Sequence, residues 1–138
     1  QAAIDLETRA TDAPDEQKEY PFSIIEENGV NIIKIHDLLT GIIKDIHDKI
    51  STEVITPRFH NTIARMISGV CQEISAKTGL KKIALSGGVF QNRLLFRKSI
   101  ALLESGGFEV YTHHQVPCND GGIALGQAAI ANFAPVKK

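Results

Sequence analysis

The stretch "KKIALSGGVFQNRLLFRKSIALLESGGFEVYT", Lys81 to Thr112, constrains the fold more than any other part of the chain. It opens with the short apolar run "KIALS" and stops at a glycine pair. From Gln91 to Glu104 it places Phe96, Ser99, Ile100 and Leu103 at helical spacing, and after Gly106-Gly107 it resumes as the alternating "FEVYT". Strand, helix and strand within about 30 residues make a crossover unit, whose two strands run parallel and whose connection is right-handed. The expected class is therefore α/β, a sheet covered by helices.

The remaining segments can be placed around that unit. "AAIDLETRA" fits a short helix, and "TDAPDEQKE" is polar, acidic and interrupted by Pro14, so residues 1–19 read as a helix and linker ahead of a folded body at 20–138. In "YPFSIIEENGVNIIKI", Asn28-Gly29 favours a tight hairpin turn between strands near Phe22–Glu26 and Val30–Ile35. Asp37 then offers an N-cap, and Leu38, Leu39, Ile42, Ile43, Ile46 and Ile50 recur as an apolar stripe. A longer helix begins near Thr52 or Thr56, with Pro57 in its first turn. Its stripe is Phe59, Ile63, Met66, Ile67, Val70 and Ile74, and Gly79 closes it. "GIALGQAAIAN" predicts a final helix of mostly small residues. The expected order is a β-hairpin followed by α-α-β-α-β-α, with the strands in a mixed sheet.

Composition excludes several function classes. At 138 residues and 43% hydrophobic content, the chain can bury one core and forms one domain. A formal net charge of -1 gives no electrostatic reason for binding nucleic acid or an anionic membrane. No run approaches the ~20 apolar residues of a membrane span, and "QAAIDLETRA" lacks the features of a signal peptide. The chain opens at Gln1 without an initiator Met, as a fragment or processed product would. Two cysteines, Cys71 and Cys118, make no disulfide framework, so a cytoplasmic location is expected.

Ligands of parallel sheets bind outside the carboxyl ends of the strands. Two loops emerge there, "SGGVFQN" and "VPCNDGG", and parallel neighbouring strands bring both to one edge. Gly87 and Gly88 allow a ligand close to the backbone, and the following helix start offers N–H groups to an anion; a plain tight turn would use the same glycines. Asn92 can hydrogen-bond toward that mouth or simply start the helix. Asp120 suits a hard cation or a cation-bridged phosphate, while Asn119 or Asp120 equally suits a helix cap. His60 and Asn61, early in the long helix, are further candidates for lining the site, with a satisfied polar neighbour of the sheet as the other reading of His60. His113 and His114 point to opposite faces of a strand end and read as exposed, as do His36 and His47. Cys71 lies among apolar neighbours and reads as core, and Cys118 has no evident base beside it.

Three long segments, "RFHNTIARMI", "IALSGGVFQNRLL" and "GFEVYTHHQVPCNDGGIALGQAAIA", together resemble the carboxyl-terminal end of the HypF family. These are the carbamoyltransferases of nickel–iron hydrogenase maturation, and the resemblance runs from about Tyr20 to Ala131. Looser forms of the glycine motifs occur in tRNA threonylcarbamoyl-transfer proteins; "FHNT" and "GGVFQNRLL" favour the hydrogenase branch. The resemblance implies an actin-like ATPase architecture with a ribonuclease-H-like core, of which residues 20–138 form most of the carboxyl-terminal lobe. It further implies that Gly87, Gly88 and Asn92 contact ATP, that Gly121 and Gly122 lie near its phosphates, and that Asp120 is one ligand of a divalent metal (iron, zinc or magnesium). The other ligands are a histidine pair in an upstream lobe outside this chain, which His113-His114 match in neither position nor spacing. The implied reaction makes carbamoyl-adenylate from carbamoyl phosphate and ATP and passes the carbamoyl group to the terminal cysteine of the partner HypE. The implied partners are thus the upstream lobe and HypE, and the chain alone is expected to be inactive. A tRNA threonylcarbamoyl-transfer relative and a non-catalytic scaffold lobe are the competing expectations.

Overall fold

The computed structural model describes residues 7–8 and 17–133. Most of the expected leading helix and acidic linker lies outside the described residues. Strands β1 (Ser23–Glu27) and β2 (Val30–Lys34) form an antiparallel hairpin, with Ile24 opposite Ile33 and Ile25 opposite Ile32. Asn28 and Gly29 both take positive φ, 54° and 78°, as the tight turn requires. Helices α1 (His36–His47) and α2 (Thr52–Thr78) follow, then β3 (Lys82–Ala84), a 3-10 turn (Gly88–Gln91), α3 (Arg93–Ser105), β4 (Glu109–Tyr111), a second 3-10 turn (Asp120–Gly122) and α4 (Ile123–Phe133). β3 and β4 are parallel, pairing Ile83 with Val110, as the crossover demands.

The α/β class and the element order agree with the sequence. Among the described residues the strands form two separate two-stranded sheets rather than one mixed sheet. Asp37 lies within the first turn of α1 and Ile35 occupies the cap position, where its side chain accepts no hydrogen bond. α2 starts at Thr52, so Pro57 falls in the second turn instead of the first. Gly79 closes α2 as expected, its N–H donating to the Ser75 carbonyl at 2.8 Å.

Two apolar clusters share α2. Tyr20, Leu38 and Met66 form one, with Phe59 and Ile63 packed against it. Leu85, Leu103 and Phe108 form the other, with Ile67, Cys71 and Phe96 beside them. α2 and α3 make the closest-packed pair of elements, and the small side chains Ala64, Ser68 and Ser99 are buried. The α1 stripe is only partly used. Leu38 is buried, whereas Leu39, Ile43 and Ile46 are exposed, Ile43 by 67%. α4 is apolar nearly all round and exposed along its whole length. Among the described residues no helix is long and apolar enough to cross a membrane.

The "RFHNT" segment of α2 acts as a row of clasps. Arg58 donates to Asp45 of α1 at 2.9 Å, and Tyr20 Oη donates to the same carboxylate oxygen at 2.8 Å. Asn61 Nδ2 donates to the Lys18 carbonyl at 2.9 Å. Thr62 Oγ1 accepts from Tyr20 N–H and donates to the Arg58 carbonyl, both at 2.8 Å. The Tyr20 ring lies over Gly41, where a methyl group would come within 2.7 Å of it.

Burial first, and then the Asp45 hydrogen bond, push the Tyr20 phenol well above the usual tyrosine value, with Arg58 opposing. In the unfolded chain that phenol ionises near pH 10. The folded state keeps its proton, so this stabilisation is complete below about pH 10 and falls as pH rises further. Tyr20→Phe is expected to cost about 2 kcal/mol at neutral pH by losing a bond to a charged acceptor. Urea unfolding of parent and variant should show that gap narrowing between about pH 10 and 12. A gap constant over that range would mean that the phenol titrates alike in both states.

Candidate functional site

At the carboxyl ends of β3 and β4 the two glycine-rich loops meet. Leu85 N–H extends the ladder to the Tyr111 carbonyl at 2.9 Å, and Gly87 N–H donates to the Cys118 carbonyl at 2.7 Å. His113 Nε2 lies 2.9 Å from Ser86 Oγ, a second tie between the loops. The convergence expected from parallel strands is therefore present. A cleft of about 320 Å³ opens there, lined in part by Phe90, Gln91, Arg93, His113, Pro117 and Cys118.

Gly87 and Gly88 serve different ends. Gly87 has φ 107° and ψ 153°, a conformation that L side chains rarely adopt, so the backbone itself demands glycine. Gly88 has no such constraint. A Cβ there would meet only ordinary contacts, Asn119 Cβ and Gln91 Oε1 at 3.9 Å. Gly122 is required by packing, since a Cβ there would lie 2.8 Å from the Pro117 carbonyl oxygen; Gly121 is tight, its Cβ falling 3.0 Å from the Pro117 ring.

The chain does not enter α3 directly from the glycines. It first makes the 3-10 turn Gly88–Gln91, and Asn92 then caps α3, its Oδ1 accepting from Leu95 N–H at 2.8 Å. Glu7, ahead of the linker, accepts from Arg93 N–H at 2.7 Å. Two amides of the α3 start are thus taken, which corrects the expectation that this helix start offers them to an anion. The leading amides of the 3-10 turn, at Gly88 and Val89, have no partner within that turn. They lie on the glycine loop itself.

Asn119 and Asp120 divide the two roles open to them. Asn119 Oδ1 accepts from Gly121 N–H at 3.0 Å and caps the second 3-10 turn. Asp120 is exposed, and among the described residues its carboxylate has no hydrogen-bond or ion-pair partner. No group of three or more His, Cys, Asp or Glu side chains that could hold a metal ion exists among the described residues. Asp120 fits a single oxygen ligand to a shared cation, with the rest of the coordination sphere coming from elsewhere.

His60 is buried, 3% exposed, and reaches the glycine-turn side of the molecule: its Nε2 lies 2.9 Å from Asn92 Nδ2. Asn61, the next residue, turns away to the Lys18 carbonyl and a different cavity lined by Gln17, Glu19 and Lys98. His113 and His114 are exposed, as expected. Burial pushes the Cys71 thiol up, in keeping with a packing role, and Cys118 contributes its carbonyl to the loop junction. Sequence reasoning missed the Ser86–His113 tie and the Glu7 contact. Both depend on pairings between distant segments that no local pattern announces.

Comparison with known proteins places this geometry. The family model described as "Carbamoyltransferase, Kae1-like Domain, second subdomain" matches residues 1–127. Carbamoyltransferase HypF of Synechocystis sp. is 32% identical over 127 residues, covering 92% of this chain and 16% of that protein. The crystal structure of full-length HypF in its phosphate- and nucleotide-bound form superposes with a TM-score of 0.87 at 40% identity, over 95% of this chain and 17% of that one. The T. kodakarensis HypF crystal structure gives a TM-score of 0.79 at 27% identity, over 96% of this chain and 17% of its own. The chain thus spans about one-sixth of the length of these relatives. It belongs to the HypF carbamoyltransferase family, as the second subdomain of the Kae1-like domain.

Proposed function

We propose that this chain forms one wall of a nucleotide and metal cleft in a carbamoyltransferase that carbamoylates the terminal cysteine of a HypE-type acceptor during nickel–iron hydrogenase maturation. The observation that carries the reading is the junction of the Ser86–Gly88 and Pro117–Gly122 loops, with the Asp120 carboxylate, unpartnered among the described residues, beside it. A full-length HypF, of which this chain spans 17%, has been crystallised with phosphate and nucleotide bound, which supports nucleotide binding in the family.

In this reading Gly88 leaves room for ATP, and the amides of Gly88 and Val89 face its phosphates. Asn92 orients the nucleotide, and Gly121 and Gly122 hold the Pro117–Gly122 loop tight enough for Asp120 to approach the phosphate chain. Asp120, with residues of an upstream lobe, would hold a divalent metal, which would supply positive charge against the phosphates. Carbamoyl phosphate first loses its phosphate to water, giving carbamate and inorganic phosphate. A carbamate oxygen then attacks the α-phosphorus of ATP, forming the carbamoyl-adenylate as pyrophosphate leaves. The acceptor thiolate then attacks the carbamoyl carbon, and the new C–S bond forms as the C–O bond to AMP breaks. This chain supplies positioning rather than a nucleophile, so it is inactive alone.

ATP titration and metal analysis test the reading. The two-lobed protein should bind ATP and metal, and the isolated chain should bind ATP about 100-fold more weakly, a loss of roughly 2.7 kcal/mol. Equal ATP affinity with this chain deleted would overturn it.

A further inference from the structure

We infer that His60 is a positioning residue that locks the side-chain amide of Asn92 in one orientation, and so sets which atom of Asn92 faces a ligand at the glycine turn. The inference rests on the nucleotide reading of Asn92 and adds to it the device that makes Asn92 selective.

The hydrogen-bond chain dictates its own polarity. His60 Nδ1 lies 2.8 Å from the Thr56 carbonyl oxygen, which can only accept, so Nδ1 carries the proton. Nε2 is then the acceptor, and Asn92 Nδ2 donates to it at 2.9 Å. At the other end, Asn92 Oδ1 accepts from Leu95 N–H at 2.8 Å. A flipped amide would set its oxygen against the Nε2 lone pair and its NH2 against the Leu95 N–H, losing both bonds. With His60 only 3% exposed, water cannot substitute as the partner. One N–H of Asn92 Nδ2 is left over, so the pair presents a donor, and a donor suits a phosphate, ribose or base oxygen. The Phe59 ring meets the imidazole edge-on at 6.0 Å between centroids and adds to the packing that holds it.

Gln can reproduce both functions of this imidazole, since its NH2 donates and its oxygen accepts; Leu fills similar space and can do neither. In the full-length protein, His60→Leu is expected to weaken ATP binding about tenfold, because it removes the partner of a part-buried donor and frees the amide to flip. His60→Gln should restore affinity to within about twofold of the parent. On an Asn92→Ala background, His60→Leu should add less than about twofold, since its effect passes through Asn92. ATP affinity is read by calorimetry, with thermal unfolding recorded beside it. A packing role for His60 predicts the opposite ranking, with Leu at least as good as Gln in both measurements, and that result overturns the inference. So does an undiminished His60→Leu effect on the Asn92→Ala background, while Asn92 keeps its nucleotide role. If Asn92→Ala alone leaves ATP affinity unchanged, the nucleotide reading of Asn92 falls and the inference falls with it.

Discussion

Gly88→Val in the full-length protein is expected to weaken ATP binding by about 100-fold, with the fold intact. The space beside Gly88 is open: its Cβ would meet two atoms at 3.9 Å and no backbone. Its φ is not in the left-handed region, so a branched side chain imposes no backbone strain there. Lost ATP affinity with an unchanged unfolding temperature would therefore point to a ligand approaching the turn. Forcing two methyl groups into such a contact costs up to about 3 kcal/mol, which is the factor of about 100. Gly87→Ala is the informative contrast. Its φ of 107° demands glycine for the backbone alone, so that variant should lower the unfolding temperature whether or not nucleotide is present. Unchanged ATP affinity in a folded Gly88→Val protein would remove the nucleotide from this turn.

Asp120→Asn separates charge from shape. Asn119 already caps the turn, so the change should leave stability within about 0.5 kcal/mol, as for an exposed site. Residues that merely support a metal's ligands cost about 10–100-fold in affinity or activity when changed, and a direct carboxylate ligand should cost at least the upper figure. Metal content and carbamoyl transfer should both fall by about 100-fold or more. Full metal content with normal transfer to the acceptor cysteine would exclude Asp120 as a ligand.

The crossover unit was legible because its signals are local: glycine pairs interrupt two strand-like runs and a helical one within a single stretch. The hairpin was legible for the same reason, through Asn28-Gly29. What failed was the assignment of faces and caps. Leu39, Ile43 and Ile46 share the helical spacing of Leu38, and periodicity cannot tell a face covered by the described residues from one left bare. At the candidate site, Asn119 and Asp120 are both good caps, so only the coordinates show that Asn119 takes the amide and Asp120 does not. His60 and Asn61 read alike as candidates for lining the site, yet the structure brings only the first of the two to Asn92. Arg58 bonds Asp45 while Asn61 and Thr62 bond Lys18 and Tyr20, and sequence spacing does not say that His60 meets the glycine turn.

The sharing of α2 between two small cores bears on how the protein comes apart. The helix runs 27 residues, about 40 Å, with Phe59, Ile63 and Met66 serving one cluster and Ile67 and Cys71 the other. Both clusters use α2 as a wall, so melting the hairpin half bares one face of the helix and weakens the support of the crossover half. Amide protons of β1 and β3, in separate sheets, should for that reason exchange through a common opening rather than through two events of different free energy.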